Sequence, residues 1–195
     1  MMHFAAVSLP ENLPPYTVHQ YLYSFFPQHQ TGAPRPFLFR QSGDRCLLLS
    51  RIPPACRHAE ALIEAGRSYG IDGVVALEIS KSQGFRRGGA GPKSEVTPLL
   101  DNAKRRAYFV DVVGRKGGTV GFCQFFDLPP RRFKHADGNV IHFFPARVKA
   151  VALVRDADLF SEMLLKGIGS KKAFGNGMLY LPDAMRLPEV ADATA

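Results

Sequence analysis

Between Gln83 and Pro98 the chain reads QGFRRGGAGPKSEVTP, with glycines at 84, 88, 89 and 91 and prolines at 92 and 98. Glycine raises the entropy lost on ordering and proline removes a backbone donor, so neither a helix nor an inner strand runs through such a stretch. Regular structure must form on either side of it, in two parts each the size of a small domain. The expected organisation is an N-terminal domain over 1–82, a basic Gly-rich linker over 83–97, a C-terminal domain over 98–182 and a loosely held tail over 183–195. The 195 residues are 46% hydrophobic and 22% charged, which supports a core and excludes disordered, collagen-like and coiled-coil chains. No apolar run approaches the roughly 18 residues that span a bilayer. The opening MMHFAAVSLPENLPP lacks the basic start and long apolar core of a signal peptide, so a cytoplasmic protein with no membrane partner is expected.

Hydrophobic periodicity fills in both parts. Phe4 to Leu9 predicts a strand, and the prolines of 10–15 lead into a helix over Tyr16 to Phe26. Val18, Leu22 and Phe25 form its apolar stripe and Pro27 stops it. Phe37 to Arg40 and Cys46 to Ser50 flank the turn residues Gln41-Ser-Gly-Asp44 as a hairpin, followed by a helix near Arg57 to Ala65 and a strand over Val74 to Ser80. Strand, helix, strand, strand, helix, strand is the ferredoxin-like order, which RNA-recognition modules share. In the second part a helix is predicted over Leu99 to Val113, with Leu99, Ala103, Ala107 and Val110 as its core face. A strand over Thr119 to Phe126 and a basic loop or hairpin over Leu128 to Gly138 come next. A strand over Val140 to Val154, bent near Pro145, leads to a helix capped by Asp156 or Asp158 and ending at Lys166. Last comes a strand over Met178 to Leu181. The expected fold class is therefore α+β: tandem ferredoxin-like (RRM-like) domains with a cleft between them, bordered by the basic linker and loop.

Charge is unevenly placed. Residues 81–150 hold 14 Lys and Arg against 5 Asp and Glu, whereas the rest of the chain holds 11 against 12. A concentrated basic stretch points to a polyanionic partner such as nucleic acid. Arg86, Arg87 and Lys93 in the linker and Arg131, Arg132 and Lys134 in the loop are the candidate RNA-phosphate contacts, against the alternative of a solvated basic face. Cys46, Cys56 and Cys123 are an odd number without a C-x-x-C pair, so they read as small hydrophobes.

The least ordinary segment is GIGSKKAFGNG, where glycines 167, 169, 175 and 177 enclose Lys171 and Lys172. Glycines allow close approach of a backbone to a ligand and turn N–H groups toward an anion, while lysines add charge, so Gly169, Lys171, Lys172 and Gly175 are candidate phosphate-backbone contacts. The alternative is a helix end followed by tight turns. The segment lacks the Gly-Lys-Ser/Thr of a P-loop and does not follow a strand as a dinucleotide fingerprint does. His19 stands three residues after Tyr16, on a neighbouring helix position. An imidazole and a phenol together can transfer protons or orient a phosphate. His3, His29, His58, His135 and His142 show no metal-ligand spacing, and no Ser-His-Asp or Cys-His arrangement stands out, so neither metal nor cofactor is expected.

Taken together, Tyr16-Thr-Val-His19-Gln, the following Phe25-Phe26-Pro27, the Phe37 to Phe39 strand and the closing GIGSKKAFGNGMLYL resemble the CasE family of CRISPR repeat endoribonucleases. In order, position and length the likeness covers most of the chain. Leu77 to Gln83 differs from the Arg-rich segment usual in that family, Met178 and Tyr180 replace its Leu and Ser, and Gly84 to Lys93 carries charge nearby. The resemblance implies a tandem ferredoxin-like fold, metal-independent cutting of precursor RNA below a repeat stem-loop, and retention of the mature product. It further implies a place among the subunits of a class 1 effector complex, type I-E or type IV. It makes His19 the general acid or base and Tyr16 its partner, with Lys172 or a nearby Arg stabilising the phosphate, and the products a 2′,3′-cyclic phosphate and a 5′-hydroxyl. Two other classes share the fold: a non-catalytic stem-loop-binding subunit and a small-molecule enzyme. The charge map disfavours the enzyme. Gly118 to Phe125 matches the RRM stacking motif only at Gly121, Phe122 and Phe125 and lacks its basic first position.

Overall fold

Two four-stranded antiparallel sheets organise the chain in a computed structural model that describes residues 1–11, 13–14, 17–30, 32–81, 95–134 and 140–186. The first has the order β2-β3-β1-β4, from β1 (Met2–Ser8), β2 (Phe37–Ser42), β3 (Arg45–Ser50) and β4 (His58–Ala61). The second has the order β12-β5-β11-β8, from β5 (Ser68–Val75), β8 (Gly118–Asp127), β11 (Ala146–Val154) and β12 (Leu179–Tyr180). Helices α2 (Asn102–Arg115) and α3 (Ala157–Lys166) belong to the second unit, and α1 (Val18–Leu22) to the first. Two hairpins stand apart from the sheets: β6 (Glu78–Lys81) with β7 (Glu95–Pro98), and β9 (Arg131–Lys134) with β10 (Val140–Phe143).

The second unit realises the full ferredoxin-like order, β5-α2-β8-β11-α3-β12. The first lacks its second helix. The segment expected as a helix near Arg57 to Ala65 is instead β4, paired with β1 from Met2 opposite Ala61 to Ala5 opposite His58. Helix propensity yields there because β1 offers an unpaired edge, and pairing satisfies backbone groups that an Ala-rich helix would leave open. The expected strand over Val74 to Ser80 starts earlier, at Ser68, and hydrogen-bonds between β11 and β12, so sheet membership changes between Ala61 and Ser68. Glycines 70 and 73 obscure it. Gly73 is needed there, since a Cβ would sit 2.6 Å from the Leu179 side chain of β12. Glu95 to Thr97, expected in the linker, belong to β7, paired antiparallel with β6.

Helix α1 is shorter than predicted. Thr17 occupies its N-cap position without a side-chain cap bond; its Oγ1 donates instead to the Pro14 carbonyl at 2.8 Å. After Leu22 the chain tightens to a 3-10 turn over Tyr23–Phe25, and Pro27 holds Phe26 away from helical backbone, at φ −130° and ψ 62°. Helix α2 starts at the Asp101 cap, whose carboxylate accepts from Lys104 N at 2.8 Å. Its buried stripe is Arg105, Phe109 and Val113, not the predicted Ala103, Ala107 and Val110, which are exposed. Arg105 can be buried because its guanidinium donates to the Leu99 carbonyl, Asn102 and Asp127. Asp156 caps α3 through Leu159 N, as expected.

The first sheet is buried on both faces. Ala5, Val7, Phe37, Phe39, Cys46 and Leu48 pack under Val18, Leu22 and Phe26. Phe4, Leu38 and Leu49 face the other way, into one core with Phe160 and Leu164 of α3 and Phe109 of α2. Burial pushes the thiols of Cys46 and Cys123 up to about 12 and about 11, consistent with inert core residues. No helix among the described residues is long and apolar enough to cross a membrane.

A half-buried charge cluster ties the sheets. Arg147 of β11 holds Asp72 of β5 through two bonds of 2.8 Å, and Arg40 of β2 reaches the same carboxylate at 3.3 Å. Burial raises the Asp72 carboxyl, but the hydrogen bonds and charges of Arg147 and Arg40 outweigh it and hold the group below the usual range. A depressed folded value contributes stability above the unfolded pKa, near 3.9, and this is lost as pH falls through the folded value. Asp72→Ala should therefore lower stability by about 1–3 kcal/mol at neutral pH by stranding two guanidiniums, and flatten the acid limb of a urea-midpoint-against-pH curve.

Candidate functional site

The glycine-rich segment is the hinge of the two units. Gly177 N donates to the Val74 carbonyl at 2.7 Å, Ser170 N to Ala76 at 2.8 Å, and Ile168 N to Gly177 at 2.9 Å, folding the loop back onto the end of β5. Glycine is required by geometry here: Gly169, at φ +89°, would place a Cβ 2.5 Å from the Ala76 carbonyl, and Gly175, at φ +79°, one 3.1 Å from the Phe39 ring. Lys171 itself sits in the left-handed region at φ 57°. The N–H groups of residues 167, 175 and 177 are committed to protein carbonyls. At Gly169 and Gly175 the backbone shape itself requires glycine.

The two lysines have different surroundings. Lys171 pairs with Glu78 at 3.3 Å, with only 30% and 17% of the two side chains exposed. Lys172 has no carboxylate in ion-pair range among the described residues. Burial first, and then the charge of Arg35, hold its ammonium below the ordinary lysine range. Arg35 is half-buried, with its guanidinium over the rings of Phe37 at 5.6 Å and Phe39 at 5.9 Å, and burial lowers it too. Two like charges held together without an acidic counterpart are stabilised by an anion placed between them.

Helix α1 completes the site. It approaches the 3-10 turn Lys172–Phe174 to within 8 Å between Cα atoms. His19 is half-buried on this helix, one turn before Tyr23, whose ring packs edge-on against Phe37 at 5.2 Å. The helix that carries His19, the turn that carries Lys172, and Arg35 from the loop before β2, whose charge acts on Lys172, thus neighbour one another where the units meet. Tyr16 lies outside the described residues.

The basic hairpin is anchored to the same place. Phe133 of β9 stacks on Phe174 at 5.2 Å with ring planes 4° apart, and Phe143 of β10 closes on Phe174 at 5.7 Å. Arg131 and Arg132 are exposed and, with Phe133, Gln41 and Gly43, line an open cleft of about 510 Å³. Lys134 continues β9. Arg86, Arg87 and Lys93 fall outside the described residues. Arg35 is not among the residues the sequence singles out, because it stands just before the strand expected over Phe37 to Arg40; a cation two and four residues before alternating aromatics is the available signal.

Comparison with known proteins follows from this geometry. A family model described as CRISPR associated protein matches residues 80–182. No curated protein matches the sequence. Among solved structures the chain is similar to the CRISPR-associated protein Cas6e from Escherichia coli str. K-12, at 19% identity and TM-score 0.70, covering 95% of this chain and 100% of that one. It is similar to Thermus thermophilus Cse3 bound to an RNA representing a pre-cleavage complex, at 14% identity and TM-score 0.69, covering 92% and 98%. It is also similar to a chain of a CRISPR RNA-guided surveillance complex, at 18% identity and TM-score 0.62, covering 94% and 100%. These likenesses establish the tandem ferredoxin-like fold.

Gly169→Val and Gly175→Val should each lower the melting temperature, since a β-branched residue at these positive φ angles costs about 1–3 kcal/mol before any clash. Differential scanning calorimetry checks this; unchanged melting would remove the loop from the hinge.

Proposed function

The chain belongs to the CRISPR associated protein family, and from that premise we propose that it is an endoribonuclease that cleaves CRISPR repeat stem-loops in precursor RNA without a metal ion and retains the product hairpin. The observation that carries this reading is the approach of α1, the helix of His19, to the turn of Lys172, whose ammonium lies near Arg35 and has no carboxylate in ion-pair range among the described residues.

RNA supplies its own nucleophile in the 2′-hydroxyl. Cleavage then needs in-line placement, a proton acceptor or donor, and stabilisation of the charge that grows on the phosphorane oxygens. In this reading the 2′-oxygen attacks the adjacent phosphorus as its proton leaves, the P–O5′ bond breaks, and the 5′-oxygen takes a proton. The products are a 2′,3′-cyclic phosphate and a 5′-hydroxyl. His19 transfers a proton, with Tyr16 beside it in sequence as its partner. Arg35 and Lys172 hold the scissile phosphate: the guanidinium offers a fork of donors, and its stacking on Phe37 and Phe39 keeps that fork fixed before RNA arrives. Lys171 is tied to Glu78 and positions the loop.

The stem is held by phosphates. Arg131 and Arg132, exposed on a hairpin stapled to the loop through Phe133 and Phe174, are placed to follow a helical backbone, and Lys134, Arg86, Arg87 and Lys93 add to the same basic stretch. Retention after cleavage is the expected behaviour of such a surface, since cutting below the stem leaves its phosphates in place. Membership of a class 1 effector complex, type I-E or type IV, is part of the same reading. It draws support from the likeness to a chain of an RNA-guided surveillance complex.

In EDTA, the wild-type protein should cut a repeat hairpin at one position. His19→Ala should slow single-turnover cleavage by about 10² to 10⁴ while binding the hairpin within a few-fold. Tyr16→Phe should be milder. Tight binding without cleavage by the wild type would mark a stem-loop-binding subunit, and a wild-type rate in His19→Ala would remove the histidine from the chemistry.

A further inference from the structure

The second sheet has a face that the cleavage site does not use. Along β8 and β11 every second residue points into the core with α2 and α3, namely Cys123, Phe125, Val148, Ala150 and Ala152. The intervening residues point outward, where no helix covers them. On β8 these are Phe122, 51% exposed, Gln124, and Phe126, 40% exposed. Register sets their neighbours on β11: Val151 opposite Phe122, Lys149 opposite Gln124, and Arg147 opposite Phe126. Two solvent-facing phenyl rings thus alternate with a polar residue on the edge strand, and two cations run beside them on the next strand.

We propose that this outer face binds single-stranded RNA, with bases stacked on Phe122 and Phe126 and the backbone running along Lys149 and Arg147. Two observations favour that occupant. Phe122 and Phe126 are four residues apart, about 13 Å along a strand, so the rings form two separate platforms, each sized for one base, and not one apolar patch. The face keeps a positive excess: Arg147, Arg40 and Lys149 stand against Asp72, which the two arginines hold and which lies opposite Lys149, and Asp183, whose carboxylate lies beside Gly70. A protein interface would instead call for a centre depleted in lysine. Duplex RNA is a poor fit, because paired bases do not offer their faces for stacking. The short match of GTVGFCQF to the stacking motif acquires a structural meaning from this geometry: Phe125 is a core residue against Phe109, while Phe122 and Phe126 carry the surface. The inference is independent of cleavage, and the occupant it implies in the full substrate is the unpaired strand that flanks a stem-loop.

The test uses the full chain and a fluorescently labelled short oligouridine, which forms no hairpin. Wild-type protein should bind it, and Phe122→Ala with Phe126→Ala should weaken binding by about fivefold or more per ring, with an unchanged melting temperature. Lys149→Gln should weaken it less and reduce the salt dependence. A repeat hairpin carrying a single-stranded extension should bind more tightly than the bare hairpin, and the double Phe variant should lose that gain while cutting the bare hairpin at the wild-type rate. Absence of oligouridine binding by the wild type, or undiminished binding by the double Phe variant, would overturn the proposal. Oligouridine binding that persists in the double Phe variant but disappears in Arg131→Ala with Arg132→Ala would also overturn it, by assigning the ligand to the hairpin cleft. Failure of cleavage alone, with oligouridine binding still ring-dependent, would count against the nuclease reading and leave this face assigned.

Discussion

The docking of the glycine-rich loop on the end of β5 is the contact on which the remaining architecture depends. Two backbone bonds, from Ser170 to Ala76 and from Gly177 to Val74, return the chain from α3 to the second sheet, a third from Ile168 to Gly177 closes the loop on itself, and the space they leave admits no Cβ at residue 169. Because the loop is pinned, Lys172 and Phe174 project at fixed places, one toward Arg35 and the other between Phe133 and Phe143. Loss of this docking would release the lysine, the basic hairpin and the neighbourhood of α1 together. Asp72 reinforces the same joint, since its carboxylate sits on β5 and gathers arginines from β2 and β11.

Electrostatics then divides labour among residues that look alike in sequence. Lys171 and Lys172 are adjacent, yet one is neutralised by Glu78 and the other confronts a second cation. An arrangement with excess positive charge in a half-buried setting is unfavourable by itself, and in the proposed function a phosphate relieves it. The exposed arginines of the β9–β10 hairpin differ in kind: they are solvated, and in the proposed function they contribute to affinity and register along a backbone rather than to a transition state.

Much of the plan was legible in the sequence because it rests on local rules. Alternation located β1, β2, β3, β8 and most of β11, Asp156 or Asp158 marked the start of α3, and the glycines of 167–177 marked the turns that follow it. What the sequence concealed was tertiary. The strand β4 lies in a segment with helix-forming residues and exists because β1 needs a partner. The strand β5 is interrupted by glycines that accommodate its neighbour β12. The core face of α2 departs from the expected one because Arg105, a charged residue, is buried, its guanidinium donating to the Leu99 carbonyl. Arg35 was passed over for a related reason: its significance lies in the Phe37 and Phe39 rings beneath it and in the proximity of Lys172, which only folding brings about.

The central claim is that the catalytic site is shared between the units, with a phosphate held by Arg35 from one and Lys172 from the other. It is tested most directly by single-turnover cleavage of a repeat hairpin in EDTA by Arg35→Gln, with hairpin affinity measured in parallel. The account predicts a fall in rate of about 10² to 10³ with affinity changed only a few-fold, as expected for a donor that acts chiefly on charge developing in the transition state. Cleavage by Arg35→Gln at the wild-type rate would contradict it.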